Sequence, residues 1–99
     1  MLRESKLKKL AQDITGRQNS TEALEETLRA YVQQRLGQCR QEIERLEHKY
    51  GLKFEVFAQR LGKKLPLSWE HEQDYMIWEE AVTNLQYFKK MAEQLRVHA

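Results

Sequence analysis

Residues 24–50, LEETLRAYVQQRLGQCRQEIERLEHKY, decide the fold. In them Leu24, Leu28, Val32, Leu36, Cys39, Ile43, Leu46 and Tyr50 recur at steps of 4, 4, 4, 3, 4, 3 and 4. That spacing lines one face of an α-helix with apolar side chains. From Val32 onward the seam is heptad-like, and Tyr31 widens it upstream. Gly37 falls inside the run. A mid-helix glycine costs about 1 kcal/mol relative to alanine, but the apolar steps resume in phase beyond it. The reading is one helix from residue 20 to residue 50, roughly 45 Å long at 1.5 Å per residue. Ser20 or Thr21 is expected to cap its start, with Glu22, Glu25 and Glu26 complementing the helix dipole, and Gly51 to end it.

Upstream, Leu7, Leu10, Ala11 and Ile14 sit at i, i+3, i+4 and i+7 and predict a short amphipathic helix over 2–14, with Gly16 placed as its left-handed cap. Downstream, Phe54, Phe57, Ala58 and Leu61 predict a short helix over 53–61, with Gly62 behind it. The segment leading into Pro66 reads as an extended connector, because the residue before proline disfavours the α region. Ser68 is the expected N-cap of a last helix over 69–96, whose stripe is Trp78, Val82, Leu85, Phe88, Ala92 and Leu95. No stretch alternates with period two, and no Asn-Gly hairpin turn is present. The expected class is all-α, one helical domain over 1–99. Two long antiparallel helices and two short ones would form a bundle completed by dimerisation, because a chain this small has little else with which to cover both long seams.

Ninety-nine residues suit one domain rather than two. With 40% apolar and 32% charged residues the composition excludes collagen-like, disulfide-scaffold and fully disordered classes. Apolar runs stop at four residues, so no membrane span is expected. Cys39 is alone and has no partner for an internal disulfide, and the N-terminus has no apolar leader stretch; both lead to an expected cytoplasmic location. The net charge of +2 is distributed in blocks: +3 over 1–17, −1 over 18–50, +3 over 51–67 and −3 over 68–99. Such alternation suits helices paired side by side or a charged partner, as well as a plainly solvated surface.

Catalytic chemistry has little to stand on. His48, His71 and His98 lie in separate segments, and no HExxH, CxxC or Glu-x-x-His pattern occurs. Glu44 and His48, one turn apart, read as an exposed ion pair rather than a metal site. Residues 70–74 concentrate acid–base groups (Glu70, His71, Glu72, Asp74), but successive residues of a helix point in different directions. Cys39 lies on the apolar seam, as a packed thiol does. The expectation is a protein without catalytic residues, cofactor, metal or small-molecule substrate.

The segment from Leu7 to Gly16 followed by Ser20 to Val32 resembles the helix–turn–helix half of VapB-type antitoxins: a leucine-rich helix, the turn Thr15-Gly16, then Thr21-Glu22-Ala23 and Leu28 to Tyr31 on a second helix. The resemblance covers about a quarter of the chain and does not include the strand by which ribbon-helix-helix relatives read DNA. It implies a homodimeric prokaryotic antitoxin that binds and silences a cognate toxin, frequently a ribonuclease. Ala23, Leu24, Leu28 and Val32 match dimer-core positions of that family.

These readings name the expected sites. A dimer interface is expected along Leu24, Leu28, Val32, Leu36, Ile43 and Leu46. A partner-binding face is expected on the last helix at Trp69, Glu70, Glu72, Tyr75 and Glu79, where aromatics supply affinity and carboxylates orient a basic toxin. A weaker nucleic-acid patch would use Arg3, Lys6, Lys8, Lys9 and Arg17, or Lys53, Arg60, Lys63 and Lys64. The alternatives are a dimeric helical scaffold without a toxin and a nucleic-acid-binding regulator.

Overall fold

The computed structural model describes residues 3–16 and 19–96, and in them the chain is helical. The elements are α1 (Glu4–Thr15), α2 (Ser20–Tyr50), α3 (Phe54–Arg60) and α4 (Trp69–Leu95). Among the described residues the only β pairing is an isolated bridge between Leu61 and Leu65. The expectations placed on Leu2, Arg17 and His98 fall outside the described residues.

Local chemistry sets the boundaries. Gly16 (φ 71°) and Gly51 (φ 65°) close α1 and α2 in the left-handed region, and their N–H groups return to Gln12 and Glu47 at 2.7 Å. A side chain is strained there and glycine is not. Asn19, not Ser20 or Thr21, caps α2: its Oδ1 accepts from the N–H groups of Thr21 at 2.8 Å and Glu22 at 3.2 Å. Asparagine caps as well as serine does, and Ser20 is already inside the helix. Ser68 caps α4 by accepting from the His71 N–H at 3.1 Å. The His71 ring is held against the Pro66 carbonyl at 2.7 Å, which braces the connector. α3 ends one residue short of its expected limit, at Arg60, and α4 ends at Leu95 with Arg96 in the left-handed region.

Contacts between α2 and α4 run in opposite order along the two helices. Lys49 meets Glu70 and Asp74, Arg35 lies 5.2 Å over the Phe88 ring, and the Arg29 Nε donates to the Leu95 carbonyl at 2.7 Å. The two helices are therefore antiparallel. Their shared core falls into two clusters. One joins Val32, Leu36 and Cys39 to Phe88 and Ala92. The other joins Leu46 and Trp78 to Phe57 of α3, with Tyr50, Phe54 and Tyr75 packed around them. Leu46, Phe57 and Trp78 are wholly buried, and each such side chain contributes on the order of 1.5–3 kcal/mol.

This packing corrects the expected dimer seam. Val32, Leu36 and Leu46 are at most 2% exposed because α4 of the same chain covers them, and Ile43 packs partly into the second cluster. The two long seams cover each other, so the argument that they need a second chain does not hold for them. It holds only at one end: α4 stops opposite Arg29, and Leu24 and Leu28 lie beyond it, 51% and 41% exposed. There α1 packs on α2 and Ala23 is completely buried, yet α1 itself has no buried residue.

Candidate interaction surfaces

Asp74 is the one buried charged residue among the described residues. It occupies a core-facing position of α4 and is 6% exposed. Its Oδ2 accepts from Lys49 Nζ at 2.7 Å and from the Tyr50 hydroxyl. Burial works to raise the Asp74 pKa, but the hydrogen bonds from Lys49 and Tyr50 outweigh it and hold the carboxyl below its usual range. Burial, reinforced by Asp74, pushes Tyr50 up to about 12. The hydrogen bonds to Asp74 and Glu70 hold the Lys49 ammonium above its ordinary value. All three groups are moved away from neutrality, the reverse of what proton transfer near pH 7 requires. The cluster is a lock between α2 and α4. Residues 70–74 taken by themselves point in different directions around the helix and give no sign of it, because the partners of Asp74 lie 24 and 25 residues away.

The expected partner face on α4 does not converge. At about 100° per residue, Glu70 stands a quarter-turn from Trp69 on the side of α2, while Glu72, Tyr75 and Glu79 share the opposite flank. Glu70 is held by Lys49 at 2.7 Å, and Tyr75 packs on Phe54 with ring centroids 5.6 Å apart. The neighbouring Glu79 carboxylate raises the Tyr75 pKa. Trp69, Glu72 and Glu79 are exposed.

The basic residues divide in the same way. On α1, Lys8 pairs with Glu4 at 3.2 Å and Lys9 with Asp13 at 3.7 Å, which halves the expected cationic patch; Arg3 and Lys6 are exposed without an ion pair among the described residues. Lys53 pairs with Glu47 at 3.1 Å, whereas Arg60, Lys63 and Lys64 line an open groove with no acidic partner among the described residues.

The clearest uncovered surface is at the end where α1 joins α2. Leu7, Leu10 and Ile14 of α1 are 52%, 45% and 78% exposed, and Leu24, Leu28 and Tyr31 of α2 are 51%, 41% and 51% exposed. Glu22 and Glu25 are carried at the same end of α2, Glu25 paired with Arg29 at 3.4 Å. No group of three or more His, Cys, Asp or Glu side chains suited to a metal occurs among the described residues, and none of their helices is long and apolar enough to cross a membrane. Comparison with family models, with curated proteins and with solved structures finds no significant match to this chain.

Proposed function

We propose that the chain is a non-catalytic binding protein of the antitoxin kind, working as a homodimer that neutralises a cognate, ribonuclease-like toxin by stoichiometric binding. The observation that carries this reading is a coincidence of place. The segment that resembles VapB-type antitoxins, residues 7–32, is the same segment whose apolar stripes folding leaves uncovered, at Leu7, Leu10, Ile14, Leu24, Leu28 and Tyr31. Exposed apolar area of this kind marks an interaction surface. Glu22 and Glu25 beside it give the charge that a basic, RNA-binding partner prefers. Trp69 and Glu72 on α4 are further exposed side chains that such a partner could meet.

The test is co-expression with the product of the adjacent reading frame. In this reading that product arrests growth alone, the wild-type chain relieves the arrest, and the doubly substituted Leu24→Asp, Leu28→Asp chain folds but does not. A neighbour that is harmless alone, or an arrest that the wild-type chain does not relieve, refutes the reading and leaves the helical scaffold in its place; relief that is equal with the double variant takes the toxin-binding surface away from Leu24 and Leu28.

A further inference from the structure

The outer face of α4 is turned away from the buried Trp78 and Ala92. Trp69, Met76 and Tyr87 on it are 78%, 65% and 57% exposed. The stripe 69, 73, 76, 80, 83, 87, 90, 94 advances by 4, 3, 4, 3, 4, 3 and 4 and so reads the same in both directions. Turned end over end about a point between residues 81 and 82, it sets Met76 against Tyr87, Glu80 against Thr83 and Gln73 against Lys90. Glu72, adjacent to Gln73, then also comes beside Lys90. Neither Glu72 nor Lys90 makes an ion pair among the described residues, although exposed pairs such as Glu25–Arg29 and Glu42–Arg45 are made elsewhere.

We propose that a second copy of this chain docks on this face, α4 against α4, antiparallel about a two-fold axis at the helix midpoint. Such an interface is isologous, so the face must complement itself, and its chemistry does. Methionine meets tyrosine on both sides of the axis, a contact sulfur and aromatic rings favour. Glu72 lies near the start of α4 and Lys90 near its end, both on the flank of this face. Antiparallel pairing sets Glu72 of each copy beside Lys90 of the other, and in-register parallel pairing would set Glu72 on Glu72 and Lys90 on Lys90. The two helix dipoles also run head to tail. This interface deepens the homodimer of the preceding section, rests on no toxin, and leaves the α1–α2 end free.

Light scattering and cysteine cross-linking of the purified full chain test it. The wild type is expected at twice the chain mass of 11.9 kDa at high micromolar concentration. Met76→Asp, at an exposed position that the fold does not need, raises the dimer dissociation constant at least about tenfold. Glu72→Lys and Lys90→Glu each weaken the dimer, and the two together restore it. Met76→Cys and Tyr87→Cys chains, oxidised separately, stay uncrosslinked, whereas an equimolar mixture forms a disulfide-linked dimer; Cys39 is buried and takes no part. A wild-type monomer, cross-linking of either variant alone, or a dimer that survives Met76→Asp but is lost in Leu28→Asp would overturn the proposal. The last outcome would place the dimer on the α2 overhang instead. All of these measurements are made on the chain alone, so they stand or fall separately from toxin neutralisation.

Discussion

Tyr50 and Lys49, adjacent on α2, both donate to the same carboxylate oxygen of Asp74 on α4. One acceptor thus fixes the rotation and the axial register of α4 on α2 at the end where α3 also packs. Removing it leaves the half-buried Tyr50 hydroxyl without its acceptor and Lys49 with Glu70 alone. Asp74→Ala is expected to destabilise the chain by about 2–3 kcal/mol, as loss of a charged hydrogen-bond partner does. In a domain of this size that lowers Tm by roughly 10–20 °C, which thermal unfolding followed by circular dichroism would register. A change within experimental scatter would mean that the lock contributes nothing to stability.

The same lock sets the pH dependence at both extremes. Asp74 titrates lower in the folded chain than in the unfolded one, where the value is about 3.9. Its contribution is therefore complete above that value and is lost as pH falls through the lower, folded value. Tyr50 is raised to about 12, so its contribution is complete below the unfolded value of about 10 and fades as pH rises towards 12. Urea unfolding across the pH range should show both losses. Asp74→Asn flattens the acid limb and Tyr50→Phe the alkaline one; limbs unchanged by these substitutions would assign the titration to other groups.

Gly37 gives an opposite expectation. It sits in the middle of α2 with ordinary helical backbone, and a β-carbon built there meets nothing within 4 Å. Gly37→Ala is predicted to stabilise the chain by about 0.5–1 kcal/mol through helix propensity alone. Denaturant midpoints would measure it; a loss of stability would reveal a role for the bare backbone at that point.

Trp78 is wholly buried, and its indole N–H has no acceptor among the described residues. Its contribution is therefore packing against Leu46, Phe57, Tyr50 and Phe54. Trp78→Ala is expected to cost about 3–5 kcal/mol, while Trp78→Phe, which keeps a ring and gives up no hydrogen bond, costs under half of that. Equal costs would show that the N–H is satisfied after all.

α1, α2 and α4 were legible in the sequence because each has an apolar stripe of period 3.6 and a glycine or polar cap at an end of it, as at Gly16, Gly51 and Ser68; the short α3 has its stripe but ends on Leu61. Coverage was harder to read. The seam from Leu24 to Tyr50 is continuous in sequence, but how far α4 reaches along it depends on the turn geometry of residues 51–68, which periodicity does not encode. Val32 and Leu28 carry the same signal and end up on opposite sides of the point where α4 stops. Asp74 was illegible for a related reason: a lone acid on a helix rich in acids reads as surface until Tyr50 is seen to face it. On the expected partner face, Trp69 and Glu70 are neighbours in the chain and point a quarter-turn apart.

The two-cluster core has a consequence for how the molecule breathes. The cluster around Leu46, Phe57 and Trp78 joins three helices and lies beside the Asp74 lock, whereas the one around Val32, Leu36 and Phe88 joins two and gives way to the α2 overhang. Local opening should cost progressively less from the α3 end towards α1, so amide protons of Glu44–Tyr50 would exchange far more slowly than those of α1 and the first turns of α2. A ligand gripping Leu24 and Leu28 would grip the softest part of the chain. Occupancy there would then be read out as slowed exchange spreading inward along α2, with no displacement of the helices at all.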